Sequence, residues 1–227
     1  MTRAELLKIA KPILFNTEMV RAILDGKKTV TRRLVKFDGN RNPNWTGYIK
    51  DGLMLYNGTN EPCNKPAPFK IGDILYVRET WCWCPCWDCG FDTEEHKCIY
   101  VPSYKIFNDG KAEWGCYGYK ASFEDNEYPS ADTWHPSIHM PKEAARILLK
   151  VKNVRMERLK NITAEEIRNE GLASMAVHAG DMEIALKEWE LLWNSTIKKS
   201  DLARYGWEAN PWVWVIEFER IKPKAEQ

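Results

Sequence analysis

The 227-residue sequence has almost no net charge, with 33 lysines and arginines against 32 aspartates and glutamates. That balance excludes a protein whose whole surface is a basic field for nucleic acid, although a neutral total leaves room for a local patch. No stretch approaches the roughly 20 apolar residues of a membrane-spanning helix, so no membrane partner is expected. The first twelve residues mix acid and base without an apolar run, which is not a secretory leader pattern, and a cytoplasmic protein is expected. An even cysteine count is also missing. Seven cysteines in a reducing compartment read as free thiols or metal ligands rather than a disulfide framework.

What the sequence does have is tryptophan: 11, more than its 9 tyrosines or 7 phenylalanines. Such side chains serve in cores, at interfaces and as platforms for bases, and composition does not choose among these roles. With 44% hydrophobic and 29% charged residues the chain can build a sizeable core. Its length fits one domain, residues 1–227, carrying an insertion.

Thr2 and Glu5 form a capping-box pattern for a short helix that Pro12 ends, and residues 1–10 read as an N-terminal extension. Asn16 or Thr17 caps a second helix with Val20, Ile23 and Leu24 on its apolar face and Gly26 at its end. A strand follows over Lys28 to Val35. Tyr48 to Lys50 and Leu53 to Tyr56 flank Asp51-Gly52 as a hairpin, and Ile74 to Arg78 is an apolar strand. Residues 81–136 are rich in cysteine, aromatics and acids and read as the insertion, with short strands at Lys97 to Val101 and Glu113 to Lys120. Beyond it come one turn at Met140 to Glu143, a long bent strand from Ile147 to Leu159, and a helix capped by Thr163 and Glu166 that stops near Gly171. Met182, Ala185, Trp189, Leu192 and Trp193 share the next helix face, and Trp212, Trp214, Ile216 and Phe218 share a face of the last strand. The pattern is strands with short helices rather than alternating β and α, which favours an α+β protein built on a small barrel.

Arg21 to Lys36 is the most basic segment, centred on Gly26-Lys27-Lys28-Thr29-Val30-Thr31-Arg32-Arg33. It reads either as an anion or nucleic-acid site or as an edge strand whose charges prevent edge pairing. In a regular strand Lys28 and Thr31 point to opposite faces, so they meet only if the chain is still turning at Lys28 or bulges. Cys86-x-x-Cys89 with His96 and Cys98 can form a tetrahedral zinc shell, Cys82 and Cys84 being substitutes. The other reading is reduced thiols packed among tryptophans, since the usual second CxxC knuckle is missing. His135 and His139 flank Pro136, which argues against a shared helical face; His139 is either a substrate contact or a structural histidine. Glu79 is expected in an ion pair with Arg33 or Arg32. Of the aromatics in the irregular segment, Trp83 and Trp134 are candidate platforms for a nucleobase.

Ile23 to Arg33, Ile71-Gly72-Asp73-Ile74-Leu75 and Val215-Ile216-Glu217-Phe218 resemble the ASCH domain family, relatives of the PUA fold. Tyr76 to Trp81, Pro136 to Pro141 and Asn210 to Ile216 are similar to ASCH proteins of phages and prophages. The resemblance implies a small PUA-like β-barrel with flanking short helices and a Cys/Trp-rich insertion. One branch of the family removes the acetyl group of N4-acetylcytidine. Its motif implies Lys28 as base, Thr31 as nucleophile and Glu170 as proton shuttle, with Lys27, Arg32, Arg33, Trp83, Trp134 and His139 left to hold the substrate. No cofactor is required on that reading, and zinc would be structural. The partner implied is a modified nucleoside or nucleic acid, and the alternative to hydrolysis is a non-catalytic RNA- or DNA-binding module.

Overall fold

The computed structural model describes residues 1–37, 48–50, 53–56, 61–85, 102–106, 112–123, 134–172 and 181–223. Along them run α1 (Arg3–Ile9), β1 (Lys11–Leu14), α2 (Thr17–Leu24), β2 (Val30–Leu34), β3 (Tyr48–Lys50), β4 (Met54–Tyr56) and β5 (Ile74–Arg78). Then come β6 (Trp81–Pro85), β7 (Pro102–Ile106), β8 (Ala112–Tyr119), β9 (Leu148–Arg158), α3 (Ala164–Asn169), α4 (Met182–Ser195), α5 (Leu202–Tyr205) and β10 (Trp212–Ile221). The architecture is α+β, with mostly antiparallel strands and few, short helices; among the described residues the strands form no closed barrel. Two compact units share the chain. One takes Met1–Arg21, Leu75–Leu148 and Lys222–Gln227, and the other Ala22–Ile74 and Leu149–Ile221.

In the first unit the Thr2 capping box is complete, with Glu5 N–H donating to the Thr2 hydroxyl and Thr2 N–H to the Glu5 carboxylate. β1 pairs in parallel with β5, Pro12 opposite Tyr76; the missing N–H of Pro12 is tolerated because β1 is an edge strand. The segment expected to be irregular is more regular than its composition implies. β6, β8 and β7 form an antiparallel sheet in that order, and Trp81 and Tyr119 are buried in it. A Cβ on Gly115 would lie 2.6 Å from the Trp83 ring, so glycine lets that indole lie across the neighbouring strand. The strand expected at Lys97 to Val101 lies outside the described residues.

In the second unit β10 separates β9 from β2, with Thr31 opposite Ile216 and Arg32 opposite Val215. Val213 to Ile216 are all buried, the pattern of a strand covered on both faces. Val213 and Val215 join Val30, Ile167, Ala185, Trp189 and Trp193 in one core cluster, where each large apolar side chain contributes ~1.5–3 kcal/mol by burial. The α4 face read from its spacing is therefore the buried one, started by Asp181, whose side chain accepts from Ile184 N–H. β3 and β4 pair antiparallel as expected, but with Lys50 opposite Met54, one residue beyond the Leu53 that a two-residue Asp51-Gly52 turn would set there.

Candidate functional site

The site is assembled by backbone before side chains enter. α2 ends in a tight turn in which the N–H groups of Lys27 and Lys28 both donate to Ala22 O, with Gly26 at φ 74°. Thr29 is then clamped from both sides: its N–H donates to Asn169 O at 2.8 Å and its carbonyl accepts from Phe218 N–H at 2.8 Å. Lys28 forms an antiparallel bridge with Glu170, the residue that caps α3. Gly171, at φ 91°, makes this approach possible, since a Cβ there would lie 2.8 Å from Ala22 Cβ and 3.1 Å from Lys28 Cβ. The capping box of Thr163 and Glu166 sets the start of α3, and so where its last residues arrive.

Lys28 and Glu170 are each 2% exposed. The Lys28 ammonium donates to Glu170 Oε2 at 2.7 Å, to Glu170 O at 2.8 Å and to Val30 O at 2.8 Å, three acceptors for its three protons. Burial nevertheless lowers the Lys28 pKa. Glu170 opposes the shift, while Arg33 and Arg32 add to it. Arg32, also buried, spreads its guanidinium over three carboxylates: Glu170 Oε1 at 3.1 Å, Glu157 Oε1 at 2.7 Å and Glu166 Oε2 at 3.0 Å. It lies over the Trp189 ring. Arg155 extends the network to Glu166 and Glu217. Burial alone would raise the Glu166 pKa, but the Thr163 N–H, Arg32 and Arg155 together lower it. Arg33 is partly buried, and desolvation lowers its pKa against the pull of Glu170.

Of the sequence-derived catalytic set, Lys28 and Glu170 are in contact. Thr31 is buried. Lys28 and Arg32 both reach Glu170, so they share a side of the strand, while Thr31 alternates away within the regular stretch of β2. The gap is still short. A trans peptide puts a carbonyl oxygen close to the next Cα, so the Lys28 ammonium on Val30 O is within about 6 Å of Thr31 Cα.

Lys27 is exposed and pairs with Asp25 at 3.0 Å. Trp83 and Trp134 lie in the first unit, edge-on to Tyr117 and Phe123 respectively, and His139 is exposed in a single turn over Ser137–His139. Glu79 takes Arg146 as its partner, not the expected Arg33 or Arg32; Arg32 is held by the carboxylates of the second unit. Cys86, Cys89, His96 and Cys98 lie outside the described residues. Among the described residues no group of three or more His, Cys, Asp or Glu is arranged to hold a metal ion, and no helix is long and apolar enough to cross a membrane.

The residues that sequence reasoning missed are Glu157, Arg155 and Glu217, together with the ionic role of Glu166. Two signals were available: Arg155 and Glu157 share a face of β9, and Glu166 and Glu170 stand one helical turn apart on α3. No protein-family model, curated protein or solved structure matches the chain.

Proposed function

We propose that the chain is an ASCH-type protein on a PUA-like barrel that recognises a modified nucleoside and hydrolyses an exocyclic amide on its base. The observation that carries this reading is the buried Lys28–Glu170 contact, with the buried Thr31 placing its Cα within about 6 Å of the Lys28 ammonium. A proton passed from Lys28 to Glu170 along the 2.7 Å contact leaves a neutral amine and a neutral acid, and the lowered Lys28 pKa makes that exchange accessible. With the strand bulged so that Thr31 turns to the Lys28 side, the amine takes the Thr31 proton as Oγ1 attacks the amide carbonyl. The C–N bond then breaks, Glu170 protonates the departing base amine, and water hydrolyses the acyl–Thr31 ester to release the acid.

One observation favours the non-catalytic reading, a binding module for RNA or DNA. All three ammonium protons of Lys28 already have acceptors, as a purely structural ion pair would require. Thr31→Val separates the two. It exchanges the hydroxyl of a buried residue for a methyl of similar size and makes no charge change, so stability should change little, whereas a nucleophilic role predicts a loss of at least about 100-fold in turnover. The assay follows release of free nucleoside and carboxylic acid from a panel of acylated nucleosides, N4-acetylcytidine first. Turnover of no panel member by the native chain, with retained binding of nucleoside or RNA, leaves the binding module.

A further inference from the structure

Three thiols lie together in the first unit, outside the Lys28 site. Cys82 and Cys84, two apart on β6, share a face with their sulfurs 3.6 Å apart, and Cys116 on β8 stands directly opposite Cys84. All are buried; Cys84 is the most exposed at 9%, against 0% for Cys82 and 2% for Cys116. Trp134 packs against the group. A glycine makes the room: a Cβ on Gly118 would lie 2.6 Å from Cys82 Sγ and 3.1 Å from Cys84 Sγ.

We infer that Cys84 and Cys116 are a covalent modification site, oxidised by hydroperoxides to a cross-strand disulfide. Register decides which pair closes. Directly opposed residues of antiparallel strands have Cα atoms about 4.5–5.5 Å apart, within the roughly 4.4–6.8 Å that a disulfide spans. Cys82 and Cys84 follow one extended strand, with Cα atoms about 6.5 Å apart and Cβ vectors side by side, which leaves them a hydrogen-bonded contact rather than a bridge. Cys84 reacts first because it is the thiol a small peroxide reaches most easily. Its sulfur attacks a peroxide oxygen and the O–O bond breaks, giving a sulfenic acid; the displaced hydroxide takes the Cys84 proton and leaves as water. The Cys116 sulfur then attacks Cys84 Sγ. The S–S bond forms, the S–O bond breaks, and hydroxide leaves with the Cys116 proton as a second water. The two thiols lose two electrons, and the peroxide takes them.

The test treats the full chain with dilute hydrogen peroxide, alkylates remaining thiols, and digests with trypsin without reduction for fragmentation mass spectrometry. The expected product joins the Cys116 peptide to the peptide 79–97, with fragment ions placing the bond on Cys84. It should persist in Cys82→Ser and vanish in Cys84→Ser and Cys116→Ser. A bond from Cys116 to any other cysteine, or a Cys116 that stays open to alkylation after peroxide, overturns the inference. Both outcomes are read on the unmodified sequence, so a variant that fails to fold does not rescue it.

Discussion

Each unit buries a glutamate against cations, and the two arrangements differ in what they leave over. In the first, Arg146 grips Glu79 with two parallel bonds, Nε to Oε1 at 2.9 Å and Nη2 to Oε2 at 2.8 Å, and lies over the Tyr119 ring. This is a closed fork, and burial raises the Glu79 pKa despite it. In the second unit the charges are shared. Glu170 is shared by Lys28 and Arg32, Arg32 is shared by three carboxylates, and Arg32 Nε and Trp189 Nε1 are buried without a partner among the described residues. A closed fork has one comfortable protonation state and suits architecture; a shared network can move a proton or accept a ligand at small structural cost, and suits a site.

Substitution of the two cations tests this contrast most directly. Arg146→Met leaves Glu79 buried without its cation and should cost ~3–5 kcal/mol in denaturant unfolding, the usual result of breaking a buried pair. Lys28→Met should cost less, ~1–3 kcal/mol, because Arg32 still holds Glu170 at 3.1 Å. Equal losses would mean that the sharing is not real. Turnover should follow the opposite order, lost in Lys28→Met and kept in Arg146→Met. Because the folded pKa of Lys28 lies below 10.5, its titration adds stability as pH rises from that lowered value toward 10.5, and this rise should be missing in Lys28→Met.

Acid sharpens the same contrast at smaller amplitude. The Glu79 pKa is raised, so its contribution is fully present below the ordinary value of 4.5 and is lost as pH rises through the folded value. That of Glu166 is lowered, so its contribution is present above 4.5 and is lost as pH falls through the folded value. In melting curves between neutral pH and pH 3, Glu79→Gln should therefore fall away more steeply than the native chain on approach to 4.5. Glu166→Gln should be flatter below it. Parallel curves for the two variants would remove the distinction between the sites.

How far these regions were legible in the sequence depends on how local their causes are. Both capping boxes, the α4 face and the Gly26 and Gly171 stops rest on residues within a turn of one another, and the structure has them. The contact of Lys28 with Glu170 spans 142 positions; no local pattern connects them, and only the family resemblance named both. The partner of Glu79 was misread because Arg146 lies 67 positions away while Arg32 and Arg33 stood in a conspicuous basic run. β6 was missed because its alternation of tryptophan and cysteine, ended by Pro85, offers no polar face to mark a strand. Regular pairing with β8 makes it one, since both faces of Trp81 to Cys84 find cover.

The smallest contrast isolates the surroundings of two nearly identical motifs. In each capping box the glutamate N–H donates to the threonine hydroxyl at 3.3 Å and the threonine N–H donates to the glutamate Oε2 at 2.9 Å. Glu5 is exposed, whereas the Glu166 carboxylate also holds Arg32 and Arg155 and accepts from the Thr163 hydroxyl. Loss of a cap typically costs ~0.5–2 kcal/mol. Thr2→Ala, which removes only the cap, should fall at the low end. Thr163→Ala should fall at the high end, because it also frees a carboxylate that fixes Arg32 and, through the register of α3, the arrival of Glu170 at Lys28. Equal costs from the two substitutions in denaturant unfolding would mean that Glu166 is held by its arginines alone, and that the box sets the start of α3 without setting the site.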